Sequence, residues 1–258
     1  MLVDYLNVSI HGYACELFVN GAPILRTSAA APYTATPTVS EWLVDGDNEI
    51  AVRVDEVAPP AATSDPLSPR RLIVQRCEGP LGAIVPAGQD LVRDELVYTP
   101  QATSAPLPLH LAYGFRLPAS QRWAWESAPV LALDAATVAE LYLLLEALHA
   151  DLCDGDIDGV LARQRIKFAE VAPRYGSEVT AAREGMKQHF ARLAADGAWS
   201  VAPLRLADLD LRLCCGGRVI EPRTRDGRPA LRGTGAGVAG WRLPIFIARL
   251  GGVWEVVR

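Results

Sequence analysis

Asp154, Asp156 and Asp158 stand at alternate positions in the stretch CDGDIDGVLARQR (153–165), with Gly159 directly behind them. Carboxylates at every second residue followed by a glycine form the opening half of a calcium loop, in which the oxygens converge on one hard cation and the glycine permits the sharp turn. The closing half does not fit that chemistry. Where a bidentate glutamate should complete the site the chain has Arg165, which removes two oxygen ligands and adds a permanent cation. The same residues fit a helix-capping loop better: Asp156 or Asp158 accepts a backbone N–H of the helix that follows, the other carboxylates sit at its positive end, and Gly155 and Gly159 ease the turn. The expectation is a cap at Asp154, Asp156 and Asp158, with no metal.

Other chemically capable groups are dispersed. His11, His110, His149 and His189 are the only histidines, and none has the i+3 or i+4 companion of an HExxH zinc site. There is no GxSxG, no phosphate-cradling loop and no dinucleotide fingerprint, so no cofactor is expected. The glycine- and arginine-rich segment 216–237 has the wrong spacing for an anion site and reads as a strand pair with a mobile turn. The five cysteines are scattered and lack CxxC spacing, which suits structural thiols in a reducing compartment. Cys214 and Cys215 are adjacent, so in a strand at most one of them faces the core.

Composition narrows the class. With 25 basic against 30 acidic residues and a net charge of −5, no electrostatic footprint for nucleic acid is present. The start of the chain lacks the pattern of a secretory leader, and no apolar run approaches the ~18–20 residues of a membrane span. The expected location is the cytoplasm, as a soluble protein. A chain of 258 residues exceeds the ~100–150 typical of one domain, so two units are expected.

The elements that would position any site change character along the chain. Residues 1 to about 130 read as strands. ACELFVNGAPIL places apolar runs on either side of Asn20-Gly21, a type I′ hairpin signal. VSEWLVDGDNEIAVRV repeats the pattern around Asp45 to Asn48, with Ile50, Val52 and Val54 alternating against Glu49, Ala51 and Arg53. Further strands are expected at 70–77, 94–99 and 109–117, separated by loops such as APPAATSDPLSP, which together predict an antiparallel β-sandwich. Trp42 is expected in the core, and no exposed aromatic platform for sugars is evident.

From Asp134 the hydrophobic period lengthens to that of a helix. DAATVAELYLLLEALHADL puts Leu141, Leu145, Leu148 and Leu152 on one face behind an Asp134 cap, followed by a second helix over IDGVLARQRIKFAEV and a third that Ser177 caps. Strands return in LDLRLCCGG, RVIEPRTRDG and WRLPIFIARLGGVWEVVR, the last a hairpin about Gly251-Gly252. The boundary is expected between 118 and 134, with a β-sandwich domain over 1–125 and an α+β domain over 134–258. Trp123 and Trp125 would pack at the junction, facing opposite ways if that segment is extended.

Two resemblances rest on these residues. ELFVNGAPI followed by VSEWLVDGDNEIAVRV resembles the jelly-roll, galactose-binding-like domain found beside the catalytic barrels of glycoside hydrolases, over ~40 residues of turn and core positions. The helix that runs into CDGDIDGVL, together with the terminal GVWEVVR, resembles the cone-shaped α+β superfamily of ketosteroid isomerase and the polyketide cyclases. That likeness implies three helices packed on a curved antiparallel sheet, with a pocket at the cone's opening. Its enzymes place an acid/base carboxylate and a tyrosine or second acid there, and the residues that could serve are His149, Asp210 and Tyr142, followed by Tyr175, His189, Asp208, Arg212 and Glu221. No family catalytic motif maps onto them.

The favoured reading is therefore a non-catalytic, soluble binding or protein-interaction protein of bacterial type, an immunity or adaptor role being one form of it. Its partner would be another protein or a small apolar ligand, and a homodimer is open. The alternatives are a small-molecule isomerase, cyclase or dehydratase that uses the cone cavity, and a carbohydrate-associated module led by the jelly roll.

Overall fold

The computed structural model describes residues 2–28, 31–57, 70–81, 92–98, 106–118, 122–197, 199–235 and 240–258. The chain divides into two compact units, Met1–Arg122 and Trp123–Arg258. Among the described residues it is a mixed structure of fourteen strands in antiparallel sheets and four α-helices. No helix among them is long and apolar enough to cross a membrane.

The first unit is built from β1 (Leu2–His11), β2 (Tyr13–Val19), β3 (Ala22–Arg26), β4 (Tyr33–Ala35), β5 (Gly46–Val57), β6 (Arg71–Pro80), β7 (Val92–Tyr98) and β8 (Leu109–Leu117). They form two four-stranded sheets, ordered β4-β1-β6-β7 and β3-β2-β5-β8. The predicted hairpin is present: Asn20 and Gly21 take φ of 50° and 77°, the left-handed values a type I′ turn requires at both central positions. Alternation on β5 also holds, with Ile50, Val52 and Val54 all at most 2% exposed.

One expected strand is absent. The apolar run before Asp45 contains a 3₁₀ turn at Ser40–Trp42 with Trp42 buried, because residues 37–39 are already committed to β1. Leu6 N–H donates to Pro37 C=O and Val39 N–H to Asp4 C=O, each at 2.9 Å. The APPAATSDPLSP loop and Thr99 lie outside the described residues.

In the second unit, α1 (Ala135–Asp154) starts at Asp134, whose carboxylate accepts from Thr137 N at 2.8 Å, and buries Leu141, Leu145, Leu148 and Leu152 completely. The helix expected over 157–171 is two: α2 (Ile157–Arg163) and α3 (Arg165–Arg174). They meet at Gln164, fully buried at φ −102° and ψ 19°. There the backbone N–H bonds Leu161 C=O instead of Val160 C=O, and the Gln164 side-chain amide donates to the vacated Val160 oxygen. A buried amide thus completes the hydrogen bonding that a straight helix would have completed with backbone. α4 (Val179–Ala195) begins at Glu178 with no side-chain cap bond, whereas Ser177 spends its N–H on Ala172 C=O.

The strands β9 (Leu209–Cys214), β10 (Val219–Thr224), β13 (Ile247–Leu250) and β14 (Val253–Val256) form a four-stranded sheet in the order β14-β13-β10-β9. The short β11 (Leu231–Arg232) and β12 (Arg242–Leu243) pair separately. Gly251 and Gly252 make the closing hairpin turn at φ 57° and 86°. The core joins the inner face of α1 to Ile220, Ile247, Val256, Phe190 and Trp241.

Two expectations at the edges of this unit fail for local reasons. Trp123 and Trp125 are both buried, and both belong to the second unit. A 3₁₀ turn at Ala124–Ser127 replaces the extended chain that would have pointed the two rings apart, and the Arg258 guanidinium lies 4.3 Å from the Trp123 ring centre. Cys214 and Cys215 are likewise both buried. Cys215 has left the strand for a left-handed turn residue at φ 52°, so strand alternation no longer governs it.

Candidate functional site

A solvent-open cleft of about 310 Å³ lies in the second unit, lined by Gly155, Ile157, Lys187, Phe190, Ala191, Ala194 and Trp199. Its position follows from the aspartate loop. Gly155 ends α1 in the left-handed conformation at φ 71°, which lets the chain reverse directly into α2. Asp156 caps α2 by accepting from Gly159 N at 2.9 Å. Gly159 is required by close approach: a Cβ there would lie 2.5 Å from the Asp156 carboxylate and 3.1 Å from Asp151. Asp158 does not cap, and reaches Lys187 on α4 at 2.5 Å.

The α4 side of the cleft is open because its residues are small. Lys187, Ala191 and Ala194 fall at i, i+4 and i+7 on one helix face, so two alanines leave room that longer side chains would fill. Behind them stands an aromatic cluster. Trp199 stacks on Trp241 with ring centres 5.2 Å apart and planes 13° from parallel, and Phe190 meets both edge-on at 5.3 and 6.1 Å. Gly233 admits the Trp241 ring, since a Cβ there would come within 2.8 Å of the indole. The Trp241 indole N–H is buried without a hydrogen-bond partner among the described residues.

The residues singled out from the sequence do not line this cleft. Tyr142 and His149, seven residues apart on α1, both bond backbone of the segment leading to β9: the Tyr142 hydroxyl donates to Leu204 C=O at 3.5 Å, and His149 Nε2 is 2.9 Å from Ala202 C=O. A carbonyl can only accept, so His149 carries its proton on Nε2 and turns Nδ1 toward the Cys153 thiol at 3.7 Å. Asp210 lies on β9 and accepts on Oδ2 from Arg212 Nε at 3.1 Å and Arg223 Nε at 3.0 Å. Each of the three is thus occupied with a structural partner, the two α1 residues with one segment and Asp210 with two guanidinium groups.

A second cluster, in the first unit, escaped sequence reading. Arg76 on β6 bridges Asp4 at 2.7 Å and Asp94 at 2.5 Å, with its guanidinium carbon 4.6 Å from the Phe115 ring centre. Phe115 and Tyr113 stack along β8 at 6.5 Å and 20°, and the Tyr113 hydroxyl, on a side chain 36% exposed, donates to Asp94 at 3.1 Å. That bond to a carboxylate raises the tyrosine's pKa. The signal was present as two aromatics at i and i+2 in LHLAYGFRL, which a strand must place on one face.

Among the described residues no group of three or more metal-ligating side chains gathers. No family model, no curated protein and no solved structure matches the chain.

Proposed function

We propose that this chain is a non-catalytic binding protein whose second unit holds a small apolar ligand against Trp199 in the cleft between α2 and α4. The single observation that supports it is the lining. Aromatic, aliphatic and small residues surround about 310 Å³, at the lower end of small-molecule sites, and the one ionisable group, Lys187, is already paired with Asp158. The lining carries no set of acid, base and nucleophile placed to act together on a bound molecule. In the adaptor form of this reading, the ligand is an apolar side chain of a partner protein.

The finer fold reading goes with it. We infer a jelly-roll-like sandwich for the first unit, supported by its two four-stranded antiparallel sheets, and a cone for the second, supported by helices that share one core with a four-stranded antiparallel meander. A carbohydrate-associated role keeps one specific support, the stacked Tyr113 and Phe115 beside the Arg76 and Asp94 pair.

The test is titration with 1-anilinonaphthalene-8-sulfonate, following its emission and that of tryptophan, on the wild type and on Ala191→Phe, which fills the cleft. Saturable binding that Ala191→Phe abolishes without lowering the melting temperature is the expected result. Equal binding by both proteins, or none by the wild type, overturns the assignment. A parallel titration with soluble oligosaccharides, compared with Tyr113→Ala, tests the carbohydrate reading.

A further inference from the structure

β9 is an edge strand of its sheet, and the direction of its backbone groups can be read from its neighbour. Ala230 N–H donates to Pro222 C=O at 3.3 Å, and Thr224 N–H donates to Arg228 C=O at 2.8 Å, so Pro222 and Thr224 turn their polar groups away from β9. Residues opposed in an antiparallel pair either both face the ladder or both face away from it. Their partner Leu211 therefore points both N–H and C=O outward, and Leu213 follows by the two-residue period; Leu209 turns only its C=O outward, its N–H closing the 3₁₀ turn onto Leu206 C=O. Leu213 is also 42% exposed, with Leu206 just ahead of the strand at 41%. An outward row of hydrogen-bonding groups flanked by exposed leucines is a template for another strand.

We propose that β9 pairs antiparallel with β9 of a second copy of this chain, about a two-fold axis through Leu211. The sequence LDLRL is self-complementary in that register. Leu211 faces the copy's Leu211, Leu209 faces the copy's Leu213, and Asp210 faces the copy's Arg212 on both sides of the axis. Leu211 then exchanges both of its bonds with the copy's Leu211, and Leu213 N–H donates to the copy's Leu209 C=O. The charged pair falls at the non-hydrogen-bonded positions, where opposed side chains are closest. Asp210 uses Oδ2 for Arg212 and Arg223 of its own chain, which leaves Oδ1 as the acceptor for the copy's Arg212.

Charge also excludes the neighbouring registers. An axis through Asp210 would oppose carboxylate to carboxylate, and one through Arg212 would oppose guanidinium to guanidinium, both destabilising across a ladder. A shift by a single residue between strands would set outward groups against inward ones. The isologous contact closes on itself, so assembly stops at two copies.

Analytical ultracentrifugation tests the proposal, with circular dichroism and thermal melts as the check on folding. The wild type is expected at twice the 27.8 kDa of one chain. Leu211→Pro should be a folded monomer, since the N–H it deletes points away from β10 while the ring blocks the central bonds of the dimer. Asp210→Arg and Arg212→Asp should each weaken dimerisation by roughly 10–100-fold. Mixed in equal amounts, they should recover a heterodimer, because one chain then offers two cations opposite two carboxylates. A monomeric wild type overturns the proposal. So does a dimer that survives in folded Leu211→Pro, or a failure of the two charge variants to associate when mixed.

Discussion

The side-chain amide of Asn20 donates to the side-chain oxygen of Asn48 over 2.8 Å, fastening the tip of the β2-β3 hairpin to the turn that opens β5. Both amides are otherwise committed. Asn20 also donates to Trp42 C=O and accepts from Glu49 N–H, while Asn48 accepts from Val44 N–H and donates to the carbonyls of Val44 and Gly46. Asn48 is 4% exposed with all four of these bonds made, so its environment specifies an amide and no other side chain.

Replacing Asn48 with alanine should therefore cost about 2–4 kcal/mol, since the part-buried backbone groups of Val44 and Gly46 and the Asn20 amide lose their partner at once. Asn48→Asp should cost at least as much, because two donors become acceptors and a charge enters a buried site. Urea melts measure both, and a loss under about 0.5 kcal/mol, the range of a neutral surface change, would contradict this account.

The aspartates of the 154–158 loop should separate by role. Asp156→Ala loses the α2 cap and should cost about 1 kcal/mol. Asp158→Ala loses only an exposed ion pair to Lys187 and should cost about 0–0.5 kcal/mol. Gly159→Ala should be worse than the second, since its methyl must displace the capping carboxylate. Calorimetry with calcium should show no binding, and sub-millimolar affinity lost in Asp156→Ala would reverse that reading.

Acid sensitivity should trace in part to Asp134. Its pKa lies below the usual carboxylate range, first because its carboxylate accepts from the Thr137 backbone N–H. A group that ionises more readily when folded contributes in full above its unfolded value, about 4, and loses that contribution as pH falls through the lower folded value. Asn caps helices about as well as Asp, so Asp134→Asn should melt like the wild type at neutral pH and lose less stability on acidification. Melting temperatures of the two proteins between neutral and strongly acid pH measure the difference, and parallel curves would contradict it.

Thiol chemistry should be confined to one position. Cys153 is exposed, whereas Cys15, Cys77, Cys214 and Cys215 are buried. The bond with Cys215, together with burial, raises the Cys214 pKa well above that of a free thiol, and burial is the leading cause of the rise at Cys15 and Cys77. Iodoacetamide followed by mass spectrometry should find Cys153 alkylated under native conditions and the others only after denaturation. Early alkylation of Cys214 would contradict the packing described.

Local grammar was legible wherever one residue type alone satisfies a backbone demand. Asn20-Gly21, Asp134, Gly155 and Gly251-Gly252 each announce a turn or cap that the structure contains. Trp42 was legible as core from its place beside the Asp45 turn, although the run it belongs to is a 3₁₀ turn and not a strand. What remained hidden depended on partners distant in the chain. Gln164 breaks a helix by bonding a carbonyl one turn back, an arrangement that its periodicity does not reveal. The cleft exists because Ala191 and Ala194 face Trp199 and Ile157, and small residues in a helix give no sign of what stands opposite them. His149, Asp210 and Tyr142 looked chemically available because three of their four partners, two backbone carbonyls and Arg223, lie 13 to 62 residues away, and Arg212, two residues from Asp210, has no partner fixed by spacing alone.

The long pairing of β1 with β6, ten residues in register from Leu2↔Pro80 to His11↔Arg71, sets an order of events during folding. The β2-β3 hairpin closes across two residues and β5 joins it from nearby in sequence, so those three strands can form from local contacts, whereas β8 must return from far downstream to pair with β5, from Gly46↔Leu117 to Val54↔Leu109. β1 must instead hold its apolar residues until a segment about seventy positions downstream arrives, and the entropy of closing so large a loop is spent before any of those ten pairs forms. Refolding of this unit should therefore be governed by two distant encounters, with β2, β3 and β5 assembled first and the pairings of β6 with β1 and β8 with β5 made last.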